Sequence, residues 1–216
     1  MDQSNPLYKN QGIHTNIVLL TADSGELKVL LVKRLNNPFL GKWALPGGAV
    51  YNNETIDDAI LRELKEKTNI DNIQPKMFNV FSKVNRAPQM RMICVAYLAV
   101  IDKSAISFTK QTTKTDDADW VKMEDIPHDL AYDHNEIVES ALDYLKTEVW
   151  KSGILKKLFP QGVTMSELHQ VYCKILGVNL DRRNFRKKLL VGGFISDSGN
   201  VKQEKGKKPA IIYTIN

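Results

Sequence analysis

Apolar positions in the first half of the chain fall into strand-length runs. Ile13 to Leu20 and Lys28 to Val32 flank the turn-rich Ala22-Asp23-Ser24-Gly25-Glu26, a spacing that predicts a β-hairpin. Asn36 to Gly48 contains Asn-Asn-Pro and Pro-Gly-Gly, so it reads as a loop with a short extended piece at Trp43 to Leu45. Thr55 followed by Asp58 has the form of a capping box. Ile56, Ala59, Ile60 and Leu64 then recur at helical spacing, with charged residues on the opposite face. Met77 to Val84, Met90 to Ile101 and Ala118 to Lys122 read as strands, and Asn135 to Glu148 as a second amphipathic helix. Strands mixed with helices over about 150 residues predict an α/β (α+β) domain.

The remaining residues follow another pattern. Val163 to Leu176 predicts a helix opened by a Ser or Thr cap with Glu167, and Gly177 to Leu180 a turn. Asp181 caps a second helix, Arg182 to Leu190, in which Phe185, Leu189 and Leu190 recur on the inner side while the basic residues and Asn184 face out. Phe194 to Ser196 and Ile211 to Ile215 are strands bracketing a loop that holds Lys202, Lys205, Lys207 and Lys208. Helix, short turn, basic helix and a Lys-rich hairpin are the outline of a winged helix-turn-helix. The expected domains are therefore residues 1–150 and 151–216.

Charge sharpens that division. The 216 residues carry 30 Lys+Arg and 25 Asp+Glu, but residues 1–150 balance to −4 and residues 151–216 to +9. A polyanionic partner is thus expected for the second module alone. No apolar run approaches the roughly 18 residues of a membrane span. Met1 to Asn10 lacks the charged-then-apolar order of a signal peptide, so a cytoplasmic protein without membrane contact is expected. Cys94 and Cys173 lie far apart and outside any CxxC pair, which predicts buried reduced thiols.

The helix after Leu45-Pro46-Gly47-Gly48 carries the most specific spacing. From Gly48, five residues lead to Glu54 and seven more to Arg62-Glu63-Leu64, followed by Glu66 and Ile70. This resembles the Nudix box, whose carboxylates gather Mg²⁺ against a phosphoanhydride. The resemblance implies a Nudix-type α/β/α sandwich with a mixed sheet, and makes Glu63 and Glu66 vestigial catalytic and metal-ligand positions. Residue 67, a glutamate ligand in the family, is Lys here, four residues after Glu63 in the order that favours a helical ion pair. Loss of metal affinity is expected. Asn69 stands where the family has Gly, and Asn tolerates the left-handed conformation that ends a helix. Arg86, Pro88 and Arg91 match part of an Arg-rich turn of Nudix proteins that act on ADP-ribose.

The module order, the Ala131-Tyr132-Asp133-His134 junction and Leu180-Asp181-Arg182-Arg183-Asn184-Phe185-Arg186-Lys187-Lys188 resemble the Nudix-related transcriptional regulators. The resemblance implies a bacterial repressor, a homodimer on a palindromic double-stranded DNA operator. Its Nudix domain, impaired as an enzyme, would sense ADP-ribose or a related nucleotide or phosphorylated sugar and control NAD or sugar metabolism. Ligand contacts are then expected at Arg34, Gly47, Gly48, Glu63, Arg86 and Arg91. Contacts to DNA are expected from Thr164, Ser166, Arg182, Arg183, Asn184, Arg186, Lys187, Lys205 and Lys207, Arg and Asn being suited to base edges and wing lysines to phosphates. No cofactor is required on this reading. The alternatives are a Mg²⁺-dependent Nudix hydrolase of nucleoside diphosphate derivatives with an accessory nucleic-acid-binding domain, sequence-blind nucleic-acid binding through the tail, and a winged helix used for protein contacts. A hydrogen-bonded structural role is expected for His134.

Overall fold

The computed structural model describes residues 10–151, 153–203, 206 and 208–216. Strands β1 (Gln11–Asp23) and β2 (Glu26–Arg34) flank Ser24 and Gly25, both at positive φ, in the hairpin turn predicted there. Short strands β3 (Trp43–Ala44) and β4 (Gly47–Ala49) precede α1 (Ile56–Thr68). Then come β5 (Lys76–Phe81), β6 (Arg91–Val100), β7 (Thr115–Lys122) and α2 (His134–Glu148). These seven strands form one sheet in the order β3-β2-β1-β6-β5, with β4 also paired to β1 and β7 to β2.

The apolar runs supply the core. Ile17, Val18, Leu19, Leu20, Val29, Leu30 and Leu31 are fully buried on β1 and β2. Such unbroken runs, without alternation, mark strands covered on both faces. α1 adds Ala59, Ile60 and Leu64, and α2 adds Ile137, Ala141 and Leu145. The predicted capping box of α1 is present: Thr55 Oγ1 accepts from Asp58 N–H while the Asp58 carboxylate accepts from Thr55 N–H. The helix ends at Asn69 with φ 61°, the left-handed geometry that Asn accommodates.

The described residues gather into two units, one comprising segments up to Leu19, 29–99 and 106–141, the other 20–28, 100–105 and 142–216. The second holds α3 (Ile154–Leu158), β8 (Val163–Thr164), α4 (Met165–Leu176), α5 (Arg182–Val191), β9 (Ile195–Lys202) and β10 (Ala210–Ile215). β10 pairs antiparallel with both β8 and β9. Its core is aromatic: Trp150 lies 4.6 Å from the Tyr172 ring and within 6.4 Å of Phe185 and Phe194, with the Lys188 ammonium 3.5 Å above its face. Helix, turn, helix and a β-hairpin are thus all present.

Cys94 and Cys173 are both free; Cys94 is buried, but Cys173 is only half-buried, a departure from the expected burial. Among the described residues, no helix is long and apolar enough to cross a membrane.

Candidate functional site

α1 turns part of its charged face inward. Glu63 is only 4% exposed, and its carboxylate accepts from Arg62 at 2.6 Å. The same guanidinium reaches Glu54 at 2.7 Å, Glu66 at 3.1 Å and the Ala49 carbonyl at 2.9 Å, so one arginine gathers three carboxylates. Arg62 holds Glu54 down to about 2, and the hydrogen bond from Lys114 lowers Glu66 from its ordinary value. Glu63 and Glu66 are therefore ion-paired carboxylates rather than a solvated helix face.

Lys67 completes the cluster. Its side chain is 17% exposed, with Nζ 3.3 Å from Glu63 Oε2 and donating to the Gly47 carbonyl. A carboxylate oxygen and a main-chain carbonyl are the donors a Mg²⁺ ion prefers, and here an ammonium is seated on both. The Lys67 side chain thus fills the place where a divalent cation would take these oxygens, and the residues present do not fit a metal centre. No group of three or more His, Cys, Asp or Glu able to hold a metal occurs among the described residues.

The two glycines that precede α1 permit this approach. β1 and β4 pair with Asn16 opposite Gly47 and Thr15 opposite Gly48. A Cβ on Gly47 would lie 2.0 Å from the Thr15 carbonyl oxygen, and one on Gly48 2.3 Å from the Glu63 carboxyl carbon. The obstruction at Gly47 is backbone and cannot yield, whereas that at Gly48 is the end of a side chain. Gly47→Ala is accordingly expected to cost several kcal/mol, beyond the usual range of about 1–3 kcal/mol for overpacking, and Gly48→Ala to stay within it. Urea denaturation of the two variants checks the order.

Two cavities open beside the cluster. The first, about 270 Å³, is lined by residues that include His14, Asn16, Arg34, Arg86, Tyr132 and His134. The second, about 260 Å³, is lined by residues that include Lys33, Asn36, Glu63 and Lys114. Arg34, Leu45, Gly48 and Lys67 belong to both walls. Of the expected ligand residues, Arg34, Gly47, Gly48 and Arg86 meet in the first cavity and Glu63 lies in the second. Arg91 lines neither; its guanidinium donates to the Lys83 carbonyl at 2.9 Å and braces the turn before β6.

The lining also includes residues outside the expected ligand set. Tyr132 sits at φ 56°, a conformation uncommon for a bulky residue and frequent at ligand sites. Its ring meets Phe39 edge-on at 4.7 Å and lies 5.1 Å below the Arg34 guanidinium. His134 is buried and its Nδ1 accepts from Leu45 N–H at 3.0 Å, in keeping with a structural role, yet it also faces the cavity. Burial first, then the charges of Arg86 and other cations, depresses both histidines: His14 to about 4 and His134 well below its ordinary value. Both are neutral in the fold but titrate near 6.5 when unfolded, so the unfolded chain binds more protons in between. Their contribution to stability is full above pH 6.5 and is lost progressively as pH falls towards about 4. Thermal melts across that window should show a declining midpoint, and a flat profile would contradict the burial of these imidazoles.

In the second unit, α5 presents its basic face. Phe185 and Leu189 are buried, whereas Arg182, Arg183, Asn184, Arg186 and Lys187 are exposed, and so is Leu190, which was expected on the inner side but lies next to Leu189 and off its face. Asp181 accepts from Asn184 N–H at 2.8 Å and caps the helix. Arg186 donates to the Tyr213 hydroxyl at 3.3 Å, which ties it to β10. At the start of α4, Ser166 is exposed, but Thr164 is buried and its hydroxyl is engaged with Glu167 in the cap. The Thr164 side chain is therefore committed to the cap and, contrary to expectation, not presented to DNA. Lys205 and Lys207, also expected at DNA, lie outside the described residues.

Comparison with known proteins fits both halves. Residues 11–141 match the NUDIX domain model, and residues 156–215 match the NrtR DNA-binding winged helix domain. The chain is 29% identical over 209 residues to the ADPR responsive transcriptional repressor NtrR of Acinetobacter baylyi, covering 95% of this chain and 82% of that protein. It is similar to the structure of Shewanella oneidensis NrtR complexed with a 27mer DNA, with TM-score 0.77, 28% identity and coverage of 94% and 93% of the two chains. The NUDIX domain of Shewanella oneidensis NrtR complexed with ADP ribose matches with TM-score 0.59 and 31% identity, covering 65% of this chain and 93% of that one.

Proposed function

Because the chain belongs to the Nudix family and carries an NrtR-type winged helix after its Nudix domain, we propose that it is a DNA-binding transcriptional repressor whose operator affinity is set by ADP-ribose or a related nucleotide or phosphorylated sugar. One observation carries this reading: the Nudix cavity has an ammonium at its metal position, in a chain whose winged helix presents Arg182, Arg183, Asn184 and Lys187 exposed on α5. A binding pocket without a metal centre suits a sensor better than a hydrolase.

Sensing is assigned to residues 1–150 and DNA contact to residues 151–216. Arg34, Gly47, Gly48, Arg86 and, in the second cavity, Glu63 form the effector contacts, joined by Tyr132 and His134. Arg182, Arg183, Asn184 and Arg186 reach base edges or phosphates from the major groove, with Ser166 and Lys187 on the backbone. We infer a homodimer on a palindromic operator, the arrangement in which a two-fold site mirrors a two-fold protein, and a cytoplasmic location, which a DNA partner supports. For the effector to regulate, it must bind the DNA-competent and DNA-free states with different affinity. Nudix proteins commonly use Mg²⁺ or Mn²⁺; in this chain no cation is required for sensing.

DNA fragments from upstream of the protein's own gene and its neighbours test the repressor reading. At fixed, near-physiological salt, tight binding that a scrambled palindrome abolishes is expected. Binding that tracks salt alone and ignores sequence would overturn it.

A further inference from the structure

Lys67 stands on the wall common to both cavities, together with Arg34, Leu45 and Gly48. Beyond that wall the two spaces differ, one with Tyr132, His134 and Arg86, the other with Lys33, Asn36 and Lys114. A ligand occupying both would pass its central portion across Lys67 and Arg34.

The charges at that crossing are countable. Glu54, Glu63 and Glu66 are matched by Arg62, Lys67 and Lys114. Arg34 hydrogen-bonds the Pro38 and Asn36 carbonyls and the Tyr132 hydroxyl, all uncharged, so its cation tips the balance to positive. A carboxylate at position 67 would swing the total by two charges and make the crossing anionic. Such a site would repel a diphosphate unless a divalent cation intervened; with lysine, the chain carries its own cation.

We infer that Lys67 is a resident counter-charge for the diphosphate of a two-part effector, seated where the Lys67–Arg34 wall joins the two cavities, so that the effector binds with no divalent metal. This rests on the effector reading above. It goes further in assigning to Lys67 a binding role, rather than treating the residue only as a lost ligand. The ammonium is positioned for that role by Glu63 and the Gly47 carbonyl, which orient it without leaving the pair net negative. A charge-assisted contact to phosphate is among the stronger hydrogen bonds available to a side chain.

Calorimetric titration of the full chain with ADP-ribose, in EDTA and in Mg²⁺, is the test. The unmodified protein is expected to bind equally in both, within about threefold. Lys67→Gln should weaken binding by about tenfold or more in both buffers, the equivalent of about 1.4 kcal/mol, and Lys67→Arg should restore metal-free binding. Lys67→Glu should abolish binding in EDTA and regain part of it with Mg²⁺. Binding by the unmodified chain only with Mg²⁺ would overturn the inference and leave the effector reading intact, as would full affinity in a folded Lys67→Gln protein. Binding of ADP-ribose in neither buffer would instead overturn ADP-ribose as effector, and this inference with it.

Discussion

Arg183→Ala combined with Lys187→Ala is expected to remove operator binding at physiological salt while leaving the fold untouched. Both side chains are exposed on α5, whose anchoring to its own unit falls to Phe185 and Leu189. Arg186 and Lys188 are poorer choices, because one bonds Tyr213 and the other lies over Trp150, so their loss would mix packing with recognition. An arginine paired to a guanine edge is worth about 1–3 kcal/mol of discrimination, so Arg183→Ala alone should weaken operator binding by roughly 5- to 150-fold and relax preference at one base position. Lys187→Ala should instead weaken binding to all sequences alike and lower the salt slope by about one. Anisotropy titrations at several salt concentrations separate the two effects. Unchanged affinity in the double variant would show that α5 does not enter the groove.

Arg86→Ala is expected to produce a large loss of stability. Arg86 Nε and Nη2 donate to the two Asp133 oxygens at 2.8 and 2.5 Å, and the side chains are 2% and 9% exposed. Removing one partner leaves a buried, uncompensated carboxylate, which costs about 3–5 kcal/mol. Replacing both with apolar residues of similar size, Arg86→Met with Asp133→Leu, should return most of that stability, since well-packed apolar pairs often equal or exceed buried ion pairs. Effector binding should not return with it, because Arg86 also lines the first cavity. Denaturant midpoints and ADP-ribose titration of the single and double variants distinguish the two contributions. A double variant that binds as well as the unmodified chain would confine Arg86 to holding the fold.

Local signals in the sequence carried the elements they govern. The Thr55–Asp58 box and the Asp181 cap each involve neighbours within a turn, so spacing alone predicts them, while the Asn69 terminus follows from the Nudix-box resemblance; all are present. α5 was legible for the same reason, its buried Phe185 and Leu189 standing one turn apart. α3 was not, because five residues around Lys156 and Lys157 are too few to establish a period. Thr164 is unavailable to DNA for a similarly local reason, its place at the N-cap of α4. Its capping role was foreseen, but a capping hydroxyl cannot also serve DNA freely.

The cavity was only half legible. Arg34, Gly47, Gly48 and Arg86 came from a family resemblance. His14 and Asn16 carry no motif, and the junction that holds Tyr132 gives it no ligand role; all three reach the cavity through tertiary structure. β4 is three residues long and rich in glycine, so nothing in its sequence announces a strand, yet its register on β1 sets Asn16 beside Gly47. Lys67 departs from the Nudix box, and the four-residue spacing predicts its pairing with Glu63, which is present. Its near-burial was not foreseen, since lysine is almost never buried unless paired. That burial depends on the Gly47 carbonyl, twenty residues away in sequence.

The most direct measurement is titration of ADP-ribose into the preformed complex of the full-length protein with its operator, at fixed near-physiological salt, with DNA anisotropy as the readout. A saturable change in operator affinity of about fivefold or more, corresponding to a coupling of about 1 kcal/mol, is expected, in either direction and equally in EDTA. Operator affinity that stays constant while calorimetry shows ADP-ribose bound would contradict regulation through this cavity.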